Sequence, residues 1–129
     1  MLSLKSVIIF TFTISIALAW NLKSQETNLK GKVPGHDMIV GSRLPGDKVI
    51  HKENIVKSGK WLRVVELTKT INTIKGTKIT QIIAKDLETD GNGGYVKVTN
   101  GGPSFSDVTM KFTSQRSYGI NFSLEIYGR

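Results

Sequence analysis

Residues 119–127 read Gly-Ile-Asn-Phe-Ser-Leu-Glu-Ile-Tyr, with Ile120, Phe122, Leu124 and Ile126 at every second position and Asn121, Ser123, Glu125 and Tyr127 between them. Side chains alternate faces along a β-strand, so this stretch has one apolar and one polar face. Such a strand is stable only where other elements cover its apolar side.

The preceding sequence supplies candidates for that cover. Val108–Phe112 repeats the pattern, with Val108, Met110 and Phe112 expected inward. Tyr95–Thr99 is a short strand set off by the turn Asn100-Gly101-Gly102-Pro103, and Ile79–Asp86 is another. Trp61–Thr70 carries apolar residues on both faces, which predicts an inner strand with Trp61 in the core. Met38–Arg43 and Lys48–Val56 flank Leu44-Pro45-Gly46-Asp47, where Pro presets φ and Gly accepts a positive φ. Asn72–Lys78 reads as a loop. About seven short strands without a helical period predict an all-β, antiparallel sandwich or small barrel over residues 37–129.

The chain opens differently. Lys5 precedes an apolar run from Val7 to Leu18, and Ala17-Leu18-Ala19 is a small-x-small pattern suited to cleavage between Ala19 and Trp20. The run contains Thr11, Thr13 and Ser15 and falls short of the roughly 20 apolar residues a spanning helix needs. Residues 1–19 are therefore read as a cleaved signal helix, and the chain as secreted, not membrane-spanning. Residues 20–36 are polar and aperiodic, a flexible leader to the domain.

Removing residues 1–19 leaves 17 Lys and Arg against 10 Asp and Glu, a net charge of +7. The chain has no cysteine, so it must hold together by packing without disulfides, and thiolate metal sites and thiol nucleophiles are excluded. A basic balance fits a polyanion, an anionic membrane surface or simple solubility. Lys57, Lys60 and Arg63 are the nearest approach to a basic patch, beside Trp61. Lys111, Arg116 and Arg129 are candidates for a second.

Other motifs carry less. Asp86-Leu87-Glu88-Thr89-Asp90-Gly91-Asn92 imitates the start of a calcium loop, but its twelfth position, where a bidentate carboxylate belongs, is Lys97. Gly91-Asn92-Gly93-Gly94-Tyr95-Val96 lacks the last glycine of a dinucleotide fingerprint and leads into a strand instead of a helix. His36 and His51 have no metal-ligand spacing, and Ser104 and Ser106 sit in no nucleophile elbow. Neither catalysis nor a cofactor or metal is expected. Asn121-Phe122-Ser123 is the one glycosylation sequon, on the polar face of the last strand.

Taken together, Ile39-Val40-Gly41-Ser42-Arg43, Pro45-Gly46-Asp47, Lys60-Trp61, Ile79-Thr80-Gln81-Ile82, Asp90-Gly91-Asn92-Gly93-Gly94-Tyr95, Gly101-Gly102-Pro103, Lys111-Phe112, Ser114-Gln115-Arg116, Gly119-Ile120-Asn121-Phe122 and Glu125-Ile126-Tyr127-Gly128-Arg129 resemble the multiprotein bridging factor 2 type family of insects, whose members include probable salivary secreted peptides. The resemblance implies an arthropod source and a small cysteine-free β domain. It also implies two functions: a secreted component of saliva, venom or haemolymph, or a transcriptional coactivator that bridges other factors without contacting DNA itself. With the leader, the expectation is a secreted non-enzymatic protein that binds an unidentified protein or polyanion. The coactivator is the alternative. No family ligand contact is carried over.

Overall fold

A computed structural model describes residues 36–129. The expected signal helix, its cleavage between Ala19 and Trp20, and leader residues 20–35 lie outside the described residues. Seven strands follow in order: β1 (Met38–Gly41), β2 (Lys48–Lys57), β3 (Glu66–Asn72), β4 (Ile79–Asp86), β5 (Tyr95–Gly101), β6 (Asp107–Thr113) and β7 (Ile120–Gly128). One sheet has the order β1-β4-β7-β2 and the other β3-β6-β5, with antiparallel pairing throughout. This is the all-β sandwich that the alternating pattern predicts.

β7 lies between β4 and β2, and β6 between β3 and β5. Ile120, Phe122, Leu124 and Ile126 on β7 and Val108, Met110 and Phe112 on β6 are at most 1 % exposed. The Phe112 and Phe122 rings meet across the two layers with centroids 5.5 Å apart and planes tilted by 58°, a favoured aromatic geometry. Ile55, Ile71, Ile82 and Ala84 complete the same core. Each large side chain so buried contributes roughly 1.5–3 kcal/mol of transfer free energy.

Two irregularities adapt the pattern. The register between β4 and β7 shifts between Ile79 and Gln81, so Ile79 and Ile82 are both buried although three residues apart. A matching shift in β2 between Val49 and His51 leaves His51 in register with the inward-facing Ile126.

The third strand departs from expectation. β3 begins at Glu66, not Trp61, and is the edge of its sheet. Trp61, expected in the core, is 81 % exposed. A tight turn occupies Lys60–Arg63 instead, closed by the Arg63 amide donating to the Lys60 carbonyl at 3.0 Å. An exposed apolar run and a core strand look alike by hydropathy, and the turn residues Ser58-Gly59 before it mark the difference.

Among the described residues no buried side-chain nitrogen or oxygen lacks a hydrogen-bond partner. The Ser114 amide donates to the Val65 carbonyl at 2.9 Å, and the Val65 amide donates to Ser114 Oγ at 2.8 Å. This reciprocal pair fixes the point where the β2–β3 connection enters β3, and so orients the exposed turn. The Asp86 carboxylate accepts from the His36 and Glu88 amides, both at 3.0 Å.

Candidate functional site

At one end of the sandwich the β2–β3 connection (58–65) folds against the β6–β7 connection (114–119). Both carry a glycine where the backbones touch. A Cβ on Gly59 would stand 2.7 Å from the Tyr118 carbonyl carbon, and one on Gly119 would stand 2.5 Å from the Lys57 carbonyl oxygen. No other residue permits that approach without displacing backbone. The Leu62 amide donates to Ser117 Oγ at 2.8 Å, and the Ser117 amide donates to the Arg63 carbonyl at 2.8 Å. Leu62 and Ser117 face each other with φ of 56° and 71°, a left-handed conformation uncommon for such residues.

The turn thus holds Trp61 and Leu62 at its two central positions, pointing away from the core. Leu62 is 57 % and Tyr118 45 % exposed, and Val64 is exposed beside them. Lys60 and Arg63 stand at the feet of the turn, with Arg116 on the neighbouring connection, all exposed. Residues 57–65 and 113–119 contain four cations and no carboxylate. Among the described residues no carboxylate forms an ion pair with Lys60, Arg63 or Arg116. Lys57 is tied down, its Nζ donating to the Glu66 carbonyl at 2.6 Å.

The same end has an acidic half. β4 leads into a loop carrying Glu88 and Asp90, and Gln115 Nε2 ties the β6–β7 connection to it by donating to the Gly91 and Gly93 carbonyls, both at 2.9 Å. The Asn92 amide donates to the Asp90 carboxylate and holds its pKa below the ordinary 3.8. The calcium-like motif is used in this way: Asp86 and Asp90 accept from backbone amides. Among the described residues no group of three or more His, Asp or Glu side chains is placed to hold a metal.

Four of the five expected basic contacts, Lys57, Lys60, Arg63 and Arg116, are therefore gathered at one end. Lys111 is not with them. It lies on the outer face of the three-stranded sheet, opposite Lys97 in register, with Nζ 3.2 Å from the Glu66 carboxylate. Arg129 lies apart too, donating to the Pro45 carbonyl at the other end. Asn121 sits on the central strand β7, half-buried, 3.5 Å from the Glu88 carboxylate.

The histidines are also separate. His36 stacks on Tyr95 with ring centroids 4.3 Å apart and holds Nδ1 3.0 Å from the Gly94 carbonyl. His51 Nε2 meets Glu53 at 2.9 Å, and Lys69 meets the same carboxylate at 3.2 Å. Burial disfavours the charged Glu53, but His51 and Lys69 outweigh it and lower its pKa. This trio flanks a cleft of about 300 Å³ between β2 and β3, lined by Ile50, Ile71, Asn72, Ile74 and Thr77 among others. Sequence reading missed this cluster because it depends on the two edge strands lying over each other.

Among known proteins, the family model described as Transcription activator MBF2 matches residues 40–128, from within β1 to the end of β7. The chain belongs to the MBF2 family. A "Probable salivary secreted peptide" of Bombus ignitus is 44 % identical over 94 residues, which cover 73 % of this chain and 70 % of that one. No solved structure matches the chain. The MBF2 match takes in both connections that build the exposed end.

Proposed function

We propose that this MBF2-family chain is a secreted, non-enzymatic component of an insect exocrine fluid such as saliva, venom or haemolymph. In this reading it acts by binding an anionic partner through the end formed by the β2–β3 and β6–β7 connections. The observation that carries it is the grouping of exposed Trp61 and Leu62 with Lys60, Arg63 and Arg116, on connections locked together by backbone hydrogen bonds. Export is supported by the leader pattern and by the name of the Bombus ignitus relative.

Salt elution from immobilised heparin tests the binding end. K60Q/R63Q/R116Q is expected to elute at clearly lower salt than wild type, and K97Q/K111Q, on the outer sheet face, close to wild type. Equal shifts per charge removed in the two variants would reduce the interaction to net charge and remove the site. N-terminal sequencing of protein recovered from secreted fluid is expected to begin at Trp20.

The family model is described as a transcription activator, which favours as a second reading the expected coactivator acting through protein contacts. Its mark is a chain recovered from nuclei with Met1 intact.

A further inference from the structure

Trp61 and Leu62 are the furthest-placed residues of a turn whose feet are cationic. The order Lys60-Trp61-Leu62-Arg63 sets two apolar side chains between two cations, with Arg116 alongside. A rod-like sulfated polymer lies across a row of cations and has no use for a leucine between them. A lipid bilayer has the matching profile: charge at the surface and hydrocarbon beneath it. Trp favours the headgroup level, where its ring is apolar and its N–H is wet. The backbone argues the same way. Leu62 has φ of 56°, where glycine or asparagine fits without strain, yet a leucine stands there, 57 % exposed and outside the core. The cleft of about 300 Å³ lies between β2 and β3 and is lined by none of the residues of this turn. The acidic residues Glu88 and Asp90 occupy the other half of this end, which orients the basic half toward an anionic surface.

We propose that the Lys60–Arg63 turn docks on anionic phospholipid membranes. Trp61 and Leu62 enter the boundary between headgroups and acyl chains, and Lys60, Arg63 and Arg116 rest against the lipid phosphates. The proposal rests on this end being the binding surface and names the partner it takes.

The test uses protein secreted from insect cells, with W20F as the background so that Trp61 is the sole indole. Co-sedimentation is measured with phosphatidylcholine vesicles and with vesicles that also contain phosphatidylserine. Binding is expected only to the second, with a blue shift of Trp61 emission and its quenching by lipids brominated in the acyl chain. K60Q/R63Q/R116Q is expected to lower the affinity about a hundredfold. W61A and L62N are each expected to lower it about tenfold. L62N relieves the backbone strain, so its urea midpoint is expected to equal or exceed that of wild type, which separates lost binding from lost folding.

Absence of phosphatidylserine-dependent sedimentation overturns the proposal, as does vesicle binding that W61A and L62N leave unchanged. If vesicles fail while heparin still retains wild type over K60Q/R63Q/R116Q, the lipid is wrong and the binding end stands. If the triple variant behaves as wild type in both assays, both fail.

Discussion

Phe122 is wholly buried and meets Phe112 from the opposite sheet, so its truncation leaves a cavity that two flanking strands cannot close. Phe122→Ala is expected to lower stability by about 3–5 kcal/mol in urea melts, and an unchanged midpoint would remove this residue from the core. Gly119→Ala acts by overpacking. Its Cβ would stand 2.5 Å from the Lys57 carbonyl oxygen, at the end of β2, and 3.0 Å from the Gly59 nitrogen in the connection that follows. A loss of roughly 1–3 kcal/mol is expected from the same measurement. The inward residues of β6 and β7 were legible because period-2 alternation states which face each side chain takes. Trp61 was not, since hydropathy records what a side chain is and not which way a turn points it. The grouping of Arg63 with Arg116 was also hidden, because they stand 53 positions apart and the hydrogen bonds of Ser114 and Ser117 that bring their connections together leave no local mark.

Pro45 and Gly46 form the turn between β1 and β2 that their order predicts: the Asp47 amide donates to the Leu44 carbonyl at 3.2 Å and Gly46 has φ of 81°. The sequence did not disclose what Asp47 does. Its carboxylate accepts from Arg43 Nε and the Leu44 amide at 2.7 Å and from Thr80 Oγ1 at 2.8 Å, so it ties the turn to β4. That contact follows from β1 pairing with β4, which nothing local specifies. Burial of the carboxylate opposes its ionisation, but the Leu44 amide, Arg43 and Thr80 prevail and hold its pKa below the ordinary 3.8. The stabilisation is therefore complete above the unfolded value near 3.8 and is lost as pH falls through the lower folded value. Urea melts on the acid side are expected to show this decline, and Asp47→Asn should flatten it while lowering stability at neutral pH. An identical acid slope in the variant would show that the carboxylate contributes nothing there.

The domain has no disulfide to support its hydrophobic interior. With no cysteine in the chain, the urea midpoint is expected to be the same with and without reductant. Unfolding should be one cooperative transition of about 5–15 kcal/mol. Two transitions would mean that the sheets unfold separately, against the shared core that Phe112 and Phe122 join. The class of fold was legible from seven alternating segments. Strand order was not, because backbone hydrogen bonds are the same for every residue type and leave no mark in composition.

That order, with β7 seated between β4 and β2, also bears on how the protein is made. Until residues 120–128 have been synthesised, the β1–β4 pair and β2 share no hydrogen bond, and the interior lacks Phe122, Leu124 and Ile126. A nascent chain stopping before Ile120 has two unfilled strand edges facing a gap, open to chaperones, proteases or a strand from a neighbouring copy. Addition of β7 is thus the step that joins the β1–β4 pair to β2 and fills the interior they share with the other sheet.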